Sequence, residues 1–165
     1  MAEKEKSKRA PKQLGDFGEQ LVMHILVQYK YKSVALVDHV GADLIMSDDD
    51  GKVYAISVKT RIIPENESKN YVFEAEHLNK LKDFAGKFNM IPTVALVIND
   101  PEDTITIYMM TVEKLQEIAD SESKLSDNTK QGLSVNYNAH KEEIRNTKGI
   151  FVTEFKRTSM NELDI

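Results

Sequence analysis

GADLIMSDDDGKVYAISVKTR, residues 41–61, reads as two strands folded back on one turn. Asp43 opens the first apolar run, Lys59 stands near the end of the second, and SDDDGK between them is a turn signal. Folding on that turn brings Asp43 and Lys59 side by side. In the longer run, residues 53–63, Tyr54, Ile56, Val58, Thr60 and Ile62 share one face; Ser57, Lys59 and Arg61 share the other. The first face reads as core and the second as a polar surface. A carboxylate and an ammonium on one sheet face begin a metal-dependent phosphodiester site. They are also what an ordinary solvated hairpin presents.

Upstream, Leu14, Phe17, Leu21, Val22, Ile25, Leu26 and Tyr29 recur at helical spacing, which predicts an amphipathic helix over residues 12–30. Gly15 and Gly18 weaken its first turns but permit close approach of another backbone. Residues 33–40 form a short β-rich run that Gly41 breaks. Downstream, Pro64 stops the long strand, a short extended piece falls at 71–75, and residues 77–88 form a helix with Leu78, Leu81, Phe84, Ala85 and Phe88 inward. IPTVALVIN, residues 91–99, is nearly continuously apolar and predicts a buried central strand, with 105–110 pairing back on it. Thr111 caps a helix over 112–119. Residues 120–131 read as a polar surface excursion, 133–137 as a small strand, 140–146 as a short helix and 149–155 as a last strand. The order predicts an α/β (α+β) protein with a mixed central sheet flanked by helices. The predicted organisation is a basic disordered tail over 1–12, one domain over 13–158 (a core of 13–110 and an appendix of 111–158) and a loose end at 159–165.

The 165 residues suffice for one domain with a real core. Without cysteine there is neither a disulfide framework nor a thiolate metal site. MAEKEKSKRAPK has no apolar centre, and no apolar run approaches the roughly 20 residues that span a bilayer, so a cytoplasmic location away from membrane is expected. A net charge of −5 argues against coating nucleic acid non-specifically, although a site that gathers carboxylates around a metal is itself acidic.

GDFGE in the first helix, GADLI, YAISVKTR, the FEAEHLNKLKDFA helix and the PTVALVI strand stand in an order that resembles the PD-(D/E)XK nuclease superfamily, the restriction-endonuclease-like fold. The likeness is to its small archaeal Holliday-junction-resolvase and restriction-type branches, and covers roughly residues 13–110. It implies a Mg2+- or Mn2+-dependent endonuclease that hydrolyses DNA phosphodiester bonds; a homodimer is expected because two copies of one site cut two strands most simply. Asp43 is then the central metal ligand, the backbone carbonyl of Val58 a second, and Glu19 the holder of a metal-bound water or second ion. Lys59 contacts the attacking water or the phosphate. Arg61, with Thr60 and Lys12, is placed toward the nucleic acid. The chain departs from the motif at Ser57, where the family carries Glu, Asp or Gln. Some restriction enzymes with an SxK motif draw the missing carboxylate from a nearby helix, and Glu74 or Glu76 would fill that part here.

Two other readings stay open. A catalytically inactive member of the same fold would serve as a nucleic-acid-binding or protein-interaction module, as Ser57 and the acidic balance favour. An unrelated α+β binding domain requires the Asp43 and SVK match to be chance. Asp48, Asp49 and Asp50 lack the spacing of a calcium loop. His24, His39, His77 and His140 show no ligand spacing and read as surface residues, and Met109–Met110 reads as core packing.

Overall fold

The computed structural model describes residues 9–29, 33–63, 70–100, 104–121, 126–128, 131–137 and 140–156. In chain order these hold α1 (Arg9–Gln28), β1 (Ser33–His39), β2 (Ala42–Ser47), β3 (Val53–Ile62), β4 (Tyr71–Glu74), α2 (Ala75–Lys87), β5 (Ile91–Asn99), β6 (Thr104–Thr111), α3 (Val112–Asp120), β7 (Ser126–Asn128), β8 (Gly132–Val135), α4 (Lys141–Asn146) and β9 (Ile150–Lys156). Six strands form the central sheet in the order β1-β2-β3-β5-β6-β9. β3 and β5 run parallel and every other neighbouring pair runs antiparallel.

The apolar run of β5 explains its central place. Thr93–Ile98 are all buried because both faces of the strand are covered. Val94, Leu96 and Ile98 point into a core shared with α2 and α3, while Ala95 and Val97 point into a second core under α1. α1 closes that second core with Val22, Ile25 and Leu26, each at most 2% exposed. Their spacing of three and one residues is one helix stripe. Burial of each such side chain contributes about 1.5–3 kcal/mol.

β3 differs from the expected half-polar strand. Ala55 and Ser57 are buried beside the α2 core, and Ile56 and Val58 beside the α1 core. The expected solvent face is covered because α2 returns over it before β5 pairs in parallel.

The hairpin of β2 and β3 turns where SDDDGK predicts. Asp48 holds the turn: its Oδ1 accepts from Lys52 N at 2.9 Å and its Oδ2 from Tyr54 Oη at 2.9 Å. These bonds keep the Asp48 carboxyl below its ordinary value.

Two boundaries differ from expectation. α1 starts at Arg9, taking in residues assigned to the tail. Pro11 is tolerated there because the first-turn N–H groups have no intrahelical partner; residues 1–8 lie outside the described part. The expected appendix is structural: β9 pairs with β6 in the central sheet, and Leu133, Val135, Tyr137, Ile144 and Ile150 are buried in the α2–α3 core. Part of the expected polar excursion is β7, which with β8 and β4 forms a second, three-stranded sheet.

Candidate active site

The register of β2 against β3 sets the site. Leu44 pairs with Ile56, so the next position places Asp43 opposite Ser57, with Lys59 one same-face step further along β3. The sequence reading put Asp43 directly beside Lys59; the structure interposes Ser57. Asp43 Oδ2 accepts from Val58 N at 2.6 Å and from Ser57 Oγ at 3.3 Å. The short backbone bond is charge-assisted and fixes the carboxylate at the end of the β2 ladder. In an extended strand the carbonyl of a residue points to the same edge as its N–H, so the Val58 carbonyl also faces the Asp43 side.

Asp43 is common to two concavities. On the α1 side it lines a cleft of about 640 Å3 with Lys12, Asp16, Glu19, Gln20 and His39. Lys12, Asp16 and Glu19 are spaced by four and three residues and so form one stripe of α1. On the α2 side Asp43 lines a smaller recess of about 180 Å3 with Ser57, Lys59, His77 and Lys80. The α1 side is dominated by carboxylates and the α2 side by bases.

The field at Glu19 records this arrangement. Desolvation by burial pushes its carboxyl above the ordinary value, and the negative charges of Asp43 and Asp16 push it further; Lys59 partly offsets them. Two carboxylates facing one another in a half-buried cleft are the arrangement that a cation relieves. The donor set is all oxygen: the carboxylates of Asp43 and Glu19 and the carbonyl of Val58. Such donors suit a hard cation that keeps several waters. Among the described residues no group of three carboxylate or histidine side chains converges on one point.

Close packing fixes the walls. A Cβ on Gly18 would stand 1.8 Å from Thr60 Oγ1, so α1 lies on β3 only because residue 18 has no side chain. Gly41 has φ +116°, and a Cβ there would stand 2.6 Å from the Lys80 carbonyl oxygen, which seats the turn after β1 directly on α2.

Other expected site residues fall elsewhere. Thr60 Oγ1 is buried under Gly18 without a hydrogen-bond partner and does not face a nucleic-acid surface. Arg61 lines neither concavity and acts electrostatically on Tyr71 and Tyr137, toward the second sheet. Glu74 is the N-cap residue of α2, 3.8 Å from His77 Nδ1, and Glu76 pairs with Lys80 at 2.5 Å. Glu74 and Glu76 are 65% and 74% exposed and line neither of these two concavities. His77 is half exposed, as its surface reading has it, and at the start of α2 it also lines the recess, as does Lys80, which was not singled out. Their i, i+3 spacing was legible, but not which face of α2 meets the hairpin.

The six-stranded mixed sheet, with α1 on one face and α2, α3 and α4 on the other, matches a restriction-endonuclease-like fold. Among solved structures the chain is similar to Hjc, a Holliday junction resolvase from the archaeal hyperthermophile Archaeoglobus fulgidus. The TM-score is 0.51 at 15% identity, over 73% of this chain and 82% of that one. At that identity the likeness is one of fold. No protein-family model and no curated sequence matches the chain.

Proposed function

We propose that this chain is a Mg2+- or Mn2+-dependent endonuclease that hydrolyses phosphodiester bonds of DNA. The observation that carries the reading is Asp43 itself. It is clamped by Val58 N–H and Ser57 Oγ, and it faces Glu19 across the cleft, with Lys59 on the same strand as its clamp. Asp43, Glu19 and the Val58 carbonyl would hold the cation. When bound, the ion supplies a more acidic water and neutralises charge developing on the phosphate. Lys59 presents an ammonium to a phosphate oxygen from the recess side. Ser57 donates to Asp43 and so orients a ligand. Lys12, at the rim of the acidic cleft, draws the strand toward it. A homodimer is part of the proposal, because two copies of one site are the simplest way to cut two strands; the elution volume on size exclusion tests it.

The test is cleavage of plasmid and single-stranded DNA in Mg2+ or Mn2+ by wild type, Asp43→Ala and Lys59→Ala. Cleavage by wild type and its loss in both variants is the expected result. A folded wild type that cleaves neither substrate with either metal ends the proposal. One observation favours a second reading: Ser57 places a hydroxyl where the motif carries a carboxylate, which fits an inactive module that binds nucleic acid. That module would retain salt-sensitive DNA affinity in Asp43→Ala.

A further inference from the structure

Asp43, Ser57 and Lys59 of the α2-side recess have parts in the proposed function, but two further basic side chains in its walls have none. Lys59 comes from β3, and His77 and Lys80 from the first two turns of α2. His77 and Lys80 are 50% and 43% exposed, so both reach solvent at the recess mouth. The recess, of about 180 Å3 and open to solvent, has room for a phosphate group. The close approach of Gly41 to the Lys80 carbonyl seats the α2 backbone against the turn before β2, which brings His77 and Lys80 to the same recess as Lys59.

We propose that this recess seats a backbone phosphate of the nucleic-acid strand, with His77 and Lys80 as its α2 contacts beside Lys59. The proposal rests on the nuclease reading and deepens it. Asp43 becomes a divider, with cation ligands on its α1 side and phosphate contacts on its α2 side, and this fixes the face across which the strand runs. Asp43 also stands in the recess wall, where its charge opposes an anion, so phosphate seating strengthens when a cation occupies the α1 side. Lys80 is held by Glu76 at 2.5 Å, a charge-assisted bond that a phosphate must share or replace. Glu76 is thus a built-in competitor for the anion.

The test is fluorescence anisotropy of a labelled duplex oligonucleotide across 50–200 mM NaCl, in EDTA and in Mg2+ at a temperature where cutting is slow. Lys80→Ala and His77→Gln are compared with wild type, and Glu76→Gln with Glu113→Gln, which removes a like charge on α3. One lost phosphate contact lowers the salt slope by about 1 and the affinity by up to about tenfold near 0.1 M salt. The expected result is that loss in Lys80→Ala and a smaller one in His77→Gln. Glu76→Gln is expected to bind several-fold more tightly, with Glu113→Gln unchanged. Tight wild-type binding with unaltered slopes in both α2 variants overturns the recess and leaves the nuclease reading standing. A wild type that binds no duplex in either buffer overturns the recess proposal, and the cleavage test decides the nuclease reading separately. Equal gains in Glu76→Gln and Glu113→Gln also overturn the recess proposal, because the effect is then one of net charge. Melting temperatures of the variants separate binding loss from unfolding.

Discussion

At the residue scale, Glu19 carries an electrostatic cost that a functional site explains better than a structural one. Its carboxyl is raised from the ordinary 4.5 by burial and by Asp43 and Asp16. The folded protein therefore holds this proton more tightly than the unfolded chain. The stability contribution is full below pH 4.5 and is lost as pH rises through the higher folded value. Glu19→Gln escapes that loss. It is expected to melt above wild type at pH 7 in EDTA, with the margin shrinking as pH falls toward 4.5; calorimetry at pH 7 and pH 4 checks this. Added Mg2+ is expected to reverse the order at pH 7, since wild type alone keeps the second carboxylate. Ser57 supplies the complementary prediction. Ser57→Glu sets a carboxylate opposite Asp43 in a position only 9% exposed, which lowers the melting temperature in EDTA. In Mg2+ the variant is expected to regain more than wild type gains. Equal shifts on metal addition in both proteins would place no cation at Asp43.

At the element scale, the seating of α1 on β3 depends on one missing side chain. Gly18→Ala improves intrinsic helix propensity by about 1 kcal/mol. It also drives a Cβ into Thr60 Oγ1, an atom on a stiff β-branched side chain. Overpacking of this kind costs about 1–3 kcal/mol, so the clash outweighs the propensity gain and the variant is expected to be less stable. Adding Thr60→Ala removes both the clash and a buried hydroxyl without a partner. The double variant is expected to recover the loss. A urea-denaturation double-mutant cycle measures the coupling, and additive effects would mean that α1 has shifted away from Thr60. The same displacement would carry Glu19 away from Asp43, so divalent affinity should fall in Gly18→Ala.

At the scale of the whole molecule, the C-terminal third completes the fold. A chain ending at Asp120 loses the β6–β9 pairing and the buried Leu133, Val135, Tyr137, Ile144 and Ile150. At about 1.5–3 kcal/mol each, these five side chains match the entire stability of an ordinary domain, about 5–15 kcal/mol. The shortened chain is expected to show no cooperative unfolding transition by circular dichroism. A sharp transition would make residues 13–110 a self-sufficient core after all. α4 is bound to the same sheet by ion pairs of Lys141 and Arg145 with Glu154, at 2.5 and 2.6 Å. These pairs hold Glu154 below the ordinary carboxyl value, with the Lys141 hydrogen bond the largest cause.

The order of strands and helices through α3 was legible in the chain because period and punctuation are local. The three-and-four spacing of Val22, Ile25 and Leu26, the turn at SDDDGK and the unbroken apolar run of β5 each act within a few residues. That Asp43 would neighbour both Glu19 and Lys59 was legible because one helix and one hairpin present them, Glu19 in the α1-side cleft and Lys59 in the α2-side recess. Tertiary packing alone decided the rest. It put Ser57 rather than Lys59 opposite Asp43, since register depends on where the turn closes. It buried Thr60 under Gly18, turned Glu74 outward and brought His77 and Lys80 to the recess, since a helix pattern does not say which neighbour its polar face meets. It made β9 the sixth strand of the sheet, because a pairing between residues about forty to fifty positions apart leaves no local mark in either segment.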